Sequence, residues 1–171
     1  MTVAVRTGTW QLDPAASRVG ISHRGMWGLI TVRGAFATVG GRGEVTADGA
    51  AAGVVTLDAA SLDTGHAKRD GHLRGAGFFD AEHHPEITLA VDGAERTGDD
   101  TVRAAGRLTV RGVSRPITVS ATLADVADDA LTLTTEFTVD RAEFGVGRKQ
   151  LGMMPGLTTV TATLRFTRAA G

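Results

Sequence analysis

Four stretches in the second half of the chain alternate apolar and polar residues almost without interruption, and that alternation limits the fold more than any other feature. Residues 101–111 place Val102, Ala104, Leu108 and Val110 on one face. Residues 116–127 place Ile117, Val119, Ala121 and Leu123 on one face, with Thr118, Ser120 and Thr122 on the other. Residues 131–139 repeat the pattern with Leu131, Leu133, Phe137 and Val139, and residues 157–168 with Val160, Ala162, Leu164 and Phe166. A repeat of two is that of a strand with one buried face.

The first half reads the same way with more punctuation. Residues 10–13 form a short strand that Pro14 ends. Residues 17–23 put Val19, Ile21 and His23 on one face, and residues 30–39 carry Ile30, Val32 and Phe36, with a bend or bulge expected at Gly34 and a turn at Gly40-Gly41. Residues 43–47 and 53–59 read as a hairpin around Asp48-Gly49, and residues 86–95 as a further strand. Roughly eight strands joined mostly by short connections specify an all-β, extended antiparallel barrel, because closure removes the exposed edges. One domain accounts for the 171 residues.

Residues 61–89 break the rhythm. Charges cluster there, His66, His72, His83 and His84 fall within it, and Phe78 and Phe79 stand side by side. A short helix is expected over 66–74, with Asp63 or Thr64 as N-cap and Gly75 as stop. A helical segment inside an otherwise all-β chain reads as a lid over one barrel end. A second short helical turn is expected at 141–144.

Several chemistries find no support. The absence of cysteine excludes disulfides and thiolate catalysis. A net charge of -1 gives no field for nucleic acid or an acidic membrane surface. No apolar run reaches the roughly 18 residues of a membrane span, and the first ten residues carry no signal-like run, so a cytoplasmic chain without stable membrane insertion is expected. His66 and His72 are not at the same-face helical spacing, His83 and His84 point opposite ways if extended, and no HExxH pattern exists, so no metal is expected. No GxSxG elbow is present. Asp63, Asp70 and Asp80 are carboxylates of the kind common in loops. His23 shares the inward parity of Val19 and Ile21 and reads as a satisfied core histidine. Trp27, Met153 and Met154 are expected to plug a barrel end. No cofactor is expected.

Specific residues then connect the chain to a known family. Asp63-Thr64-Gly65, Arg69-Asp70, His72-Leu73, Phe78-Phe79-Asp80, and Pro85 followed by Ile87 make a dense motif. Leu108-Thr109, Gly112-Val113, Arg115-Pro116, Asp140-Arg141 and Phe144-Gly145 follow in order, and Leu12-Asp13-Pro14 and Val32-Arg33-Gly34 precede them. Over nearly its whole length the chain resembles the YceI family of lipocalin-like, polyisoprenoid-binding proteins. It departs from that pattern in residues 23–30 and in carrying few aromatics, 5% with no Tyr.

The resemblance implies a lipocalin-like barrel with an apolar interior that holds a long amphiphile, such as a polyprenyl pyrophosphate or a quinone, without catalysis, to store or transport it. A twelve-residue strand spans about 40 Å, or about 30 Å along the axis once tilted, which suits a long chain. The interior candidates are Val19, Ile21, Ile30, Val32, Phe36, Ile87, Leu89, Val119, Leu133, Phe137, Val160 and Leu164, with Phe78 and Phe79 from the lid. For an anionic headgroup, Arg24, Arg33, Lys68, Arg69 and Arg148 are the candidate partners, since guanidinium grips phosphate by paired hydrogen bonds. Two other readings stay open: an enzyme acting on such a lipid with His72 and Asp70 as the chemical pair, and a stress-related protein with a closed barrel and a protein partner. A homodimer through an exposed strand or the lid is compatible with either.

Overall fold

The computed structural model describes residues 5–25, 30–146 and 157–169, with the backbone alone at 24, 25 and 30. Eleven strands form one antiparallel sheet in the order β1-β4-β5-β7-β8-β9-β10-β11-β2-β3-β6, and an added β1–β11 pairing closes it. They are β1 (Gly8–Leu12), β2 (Arg18–Gly25), β3 (Ile30–Phe36), β4 (Val39–Val45), β5 (Ala51–Asp58), β6 (Leu62–Asp63), β7 (Glu86–Arg96), β8 (Thr101–Val110), β9 (Val113–Ala124), β10 (Ala130–Asp140) and β11 (Leu157–Arg168).

The registers resolve this order into a simpler object. β1 lies along Phe166–Arg168 of β11, and β2 continues along Thr158–Thr163 of the same strand. Their partners β4 and β3 run back beside them in turn, and β5 and β6 pair with β4 and β3. Each of these three pairs is therefore one long course broken by a short kink, and the eleven strands trace an eight-stranded up-and-down barrel. The kinks have local causes. Asp13 Oδ1 accepts from the Ala15 N–H at 3.1 Å to start the 3-10 turn Pro14–Ala16, and Asp58 Oδ1 does the same for Ala60 at 3.0 Å before the turn Ala59–Ser61.

The strand reading needs three corrections. Gly40 and Gly41 are not a turn but lie inside β4, paired with Thr56 and Val55. The break falls at Ala37-Thr38, where the Thr38 N–H donates to Ser61 Oγ at 3.0 Å. Gly34 makes no bulge, since the β2–β3 register runs unbroken from Val19↔Phe36 to Gly25↔Ile30. Glycine is needed there because a Cβ would sit 2.8 Å from Thr64 Cγ2 and 3.1 Å from Leu62 Cδ1, under the lid. The bulges fall instead between Ala51 and Gly53 and between Val91 and Gly93. The strand expected over 116–127 begins at Val113, with Pro116 inside it opposite Arg107. Proline is tolerated because β9 meets β10 only through Ala121–Ala124, leaving its first half paired on one side alone.

Between Asp63 and Glu86 the chain leaves the sheet as α1 (Ala67–Arg74) and a loop that crosses the barrel end. The 3-10 turn Arg141–Phe144 covers the same end. The helix cap differs from expectation: His66 is the N-cap, its Nδ1 accepting from the Arg69 N–H at 3.2 Å. Asp63 is occupied by an Asx-type bond to the Gly65 N–H at 2.8 Å, and Thr64 is bound to Asp70. The packed core divides to match. Trp10, Leu12, Leu123, Leu131 and Phe166 fill the far end, while Phe36, Leu62, Phe78, Phe144 and Val146 fill the lid end.

Candidate functional site

The barrel is not packed shut. Beneath the lid lies a chamber of about 400 Å³ walled almost wholly by apolar side chains. Of the interior residues expected from alternation, Val19, Ile21, Val32, Phe36, Ile87, Leu89, Val119, Phe137, Val160 and Leu164 line it, with Phe78 and Phe79 from the lid loop. Ile21, Val32, Leu89, Phe137, Val160 and Leu164 are only partly buried although they point inward, because the surface they retain faces the chamber. Leu133 lines a second chamber of about 370 Å³ at the far end instead. The side chain of Ile30 lies outside the described residues, as do Trp27, Met153 and Met154.

Apart from Thr135 lower on the wall, the polar groups of the upper chamber gather at the lid end. They are His23 on β2, Thr158 on β11, Arg141 on the 3-10 turn, and Arg69 and His72 on α1. His23 Nδ1 lies 3.2 Å from Thr158 Oγ1, while its buried Nε2 has no hydrogen-bond partner. Burial first, and then the Arg141 charge, hold its pKa below the ordinary histidine value, against an opposing pull from the Leu157 backbone. The inward parity expected of His23 is present, but only one ring nitrogen is satisfied.

Arg141 was visible in the sequence as part of a helical turn and of the Asp140-Arg141 motif piece, but not as a chamber residue. It is 8% exposed, donates from Nη1 to the Val146 carbonyl at 3.0 Å, and sets its guanidinium carbon 6.0 Å from the Phe78 ring centre. Burial lowers its pKa and the neighbouring Asp140 opposes that shift. The available signal was its place straight after Asp140, which caps the turn by accepting from the Ala142 N–H at 3.0 Å. The turn then aims the next side chain inward.

Of the expected headgroup partners, the three whose side chains are described do not assemble around the chamber. Arg69 reaches the chamber wall, but its Nε donates to Thr64 Oγ1 at 2.9 Å and its Nη2 to the Thr64 carbonyl at 3.0 Å. Arg33 alternates outward from Val32 and is exposed, and Lys68 is exposed on α1. The Arg24 side chain and Arg148 lie outside the described residues.

Asp70 and His72, read together as a chemical pair, serve different contacts. Asp70 is 5% exposed and its Oδ1 accepts from both the Thr64 N–H at 2.9 Å and the Thr64 hydroxyl at 2.5 Å. The hydroxyl bond is the main cause holding its pKa below the usual carboxylate range. The His72 ring meets the Phe78 ring edge-on at 4.9 Å. Asp70 thus clasps the start of the lid, and His72 packs on its loop. Among the described residues no group of acidic or histidine side chains is arranged to hold a metal ion, and no helix is long and apolar enough to cross a membrane.

Comparison with known proteins places this geometry. The profile of the family described as a YceI-like domain matches residues 10–167. Protein YceI of Escherichia coli O17:K52:H18 is 40% identical over 75 residues, 44% of this chain and 39% of its own length. A UPF0312 protein of Azotobacter vinelandii is 40% identical over 67 residues, 39% of this chain and 35% of its own. The matched stretch thus spans well under half the length of these curated relatives. BcnA of Burkholderia cenocepacia superposes with a TM-score of 0.82 at 23% identity, over 90% of this chain and 98% of that one. A polyisoprenoid binding domain from Saccharophagus degradans gives 0.77 at 16% identity, over 96% and 100%.

Proposed function

This chain belongs to the YceI-like family, and on that premise we propose that its barrel binds one long isoprenoid lipid, non-enzymatically, to carry or store it. The observation that carries this reading is the apolar upper chamber, whose wall residues keep accessible surface that only an internal occupant can cover. Covering such surface gains about 25 cal/mol per Å² of apolar area. A structural neighbour described as a polyisoprenoid binding domain supports the same ligand class.

The polar end of the ligand sits under the lid, where His23, Thr158 and Arg141 interrupt the apolar wall. A quinone or alcohol head fits this end better than a pyrophosphate. Of the cations expected to grip phosphate, Arg33 and Lys68 are exposed and Arg69 is bound to Thr64, and a neutral His23 offers one hydrogen bond rather than a charge. Asp70 is held by two bonds from Thr64 to one carboxylate oxygen, which favours binding over chemistry at the lid. The test is uptake by delipidated protein of a long-chain quinone, a polyprenyl alcohol and a polyprenyl pyrophosphate from mixed micelles. Saturable loading of the first two at one per chain supports the reading, and failure of all three removes it.

A further inference from the structure

Five residues, Val55, Leu89, Val119, Thr135 and Leu164, belong to the walls of both chambers. They form a collar at mid-barrel where β5, β7, β9, β10 and β11 each turn one side chain inward. Below the collar the lining changes character. Ala51, Ala94, Ala104 and Ala121 take positions from which larger side chains would fill the barrel, and Gly53 lets β5 approach the Arg42 backbone of β4. Trp10 and Phe166, both buried, complete the wall of the lower chamber. The lower chamber is therefore an apolar-walled space made by small residues, sharing its wall with the upper chamber at the collar and rimmed by Arg42, Glu44, Glu95 and Arg96.

Protein interiors are normally packed with few voids larger than a water molecule. Two apolar chambers in series, each bounded by half-covered Leu, Val and Phe side chains, have the form of a site for one chain lying through both. Resting on the isoprenoid reading above, we infer that the ligand tail passes the collar and that the small residues of the lower chamber set tail length, so that this barrel selects long prenyl chains over those ending at the collar.

The dimensions divide the ligands. From Thr158 at the lid to Leu164 at the collar β11 advances about 20 Å, or about 15 Å along the barrel axis. At about 1.2 Å of reach per backbone bond, the twelve-carbon main chain of farnesol spans about 14 Å and is accommodated above the collar. The main chain of solanesol is three times as long and must enter the lower chamber.

The experiment loads delipidated full-length chain with farnesol and solanesol in competition from mixed micelles and counts each by native mass spectrometry. Ala104→Leu and Ala121→Leu are single variants on neighbouring strands that fill the lower chamber without touching the lid end. Wild type is expected to favour solanesol. Either variant is expected to shift the occupancy ratio at least about tenfold toward farnesol, since the excluded carbons lose their buried contacts. Farnesol loading in the variant doubles as the check that it folds, and two sites guard against the loss of one. An unchanged ratio in a variant that still loads farnesol overturns the inference while leaving isoprenoid binding intact. Failure of wild type to load either alcohol overturns the binding reading itself, and the inference with it.

Discussion

Arg111 Nη1 donates to the Gly145 carbonyl at 2.7 Å, and its Nη2 donates to the Ala76 carbonyl at 2.6 Å. One side chain from the β8–β9 turn therefore ties together the two segments that cover the chamber, the loop after α1 and the end of the 3-10 turn. Its own backbone is left-handed, φ 54°, and Gly112 follows at φ 74° to complete the turn. Arg115 adds a bond from Nε to the Glu143 carbonyl at 3.2 Å. The lid is thus fastened by guanidinium groups on backbone carbonyls.

Arg111→Ala is expected to cost about 1.5–3 kcal/mol, the range for hydrogen bonds to a charged group. Because the lost bonds hold the lid alone, ligand release should quicken by more than global stability falls. Urea denaturation and stopped-flow release of a bound lipid measure the two. Equal effects on both would show that Arg111 supports the barrel rather than the lid.

Leu62 has no exposed surface and sits beneath the lid against Gly34. Leu62→Ala should destabilise by about 3 kcal/mol through the cavity it leaves. Gly34→Ala should cost about 1–3 kcal/mol, because the new methyl would stand 2.8 Å from Thr64 Cγ2. Thermal melts check both, and a neutral Gly34→Ala would mean that the lid is not seated on β3 as described.

His23 makes stability depend on pH in a defined direction. Burial, and secondly Arg141, lower its pKa in the folded chain, whereas the unfolded chain titrates near the ordinary 6.5. Below that pH the unfolded state takes up a proton that the folded state resists, so stability falls as pH drops from 6.5 toward the folded value. Exposed His83 acts oppositely: its bond to Asp80 raises its pKa, giving stability that is present in acid and lost as pH rises through the folded value. Comparing His23→Phe with wild type cancels the His83 contribution. The variant should lose less stability between pH 7 and pH 5 by calorimetry, and parallel curves would contradict the buried neutral imidazole.

Asp70 predicts a different pH window. Its pKa is lowered chiefly by the Thr64 hydroxyl, so the clasp contributes above the ordinary carboxylate value of 3.8 and is lost only as pH falls through the lower folded value. Asp70→Asn should therefore speed amide exchange across α1 at neutral pH while leaving the barrel strands protected. Hydrogen exchange measures this, and unchanged α1 protection would count against the clasp.

Much of this structure was legible because one chemical pattern dominates it. Alternation placed Val119, Phe137, Val160 and Leu164 on the inner face, since parity alone decides which way a strand residue points. The motif residues around Arg69-Asp70 and Phe78-Phe79 located the lid. What escaped the sequence depends on register and on space. Gly40-Gly41 reads as a turn, and only pairing with β5 holds it extended. Three courses are broken by kinks, two of them capped by Asp13 and Asp58, which nothing local distinguishes from strand ends. The inward aim of Arg141 follows from the turn geometry rather than from its own type. The lower chamber is an absence of side chains, and Gly and Ala in a strand look the same whether neighbours fill the space or leave it open.

The measurement that tests the central claim most directly is mass spectrometry of freshly purified protein, intact under native conditions and again as an organic extract. The expected result is a mass excess of one lipid per chain and a recovered isoprenoid or quinone with a long tail. A chain that is unoccupied in both measurements, and that still takes up no prenyl ligand after exposure to one, would contradict it.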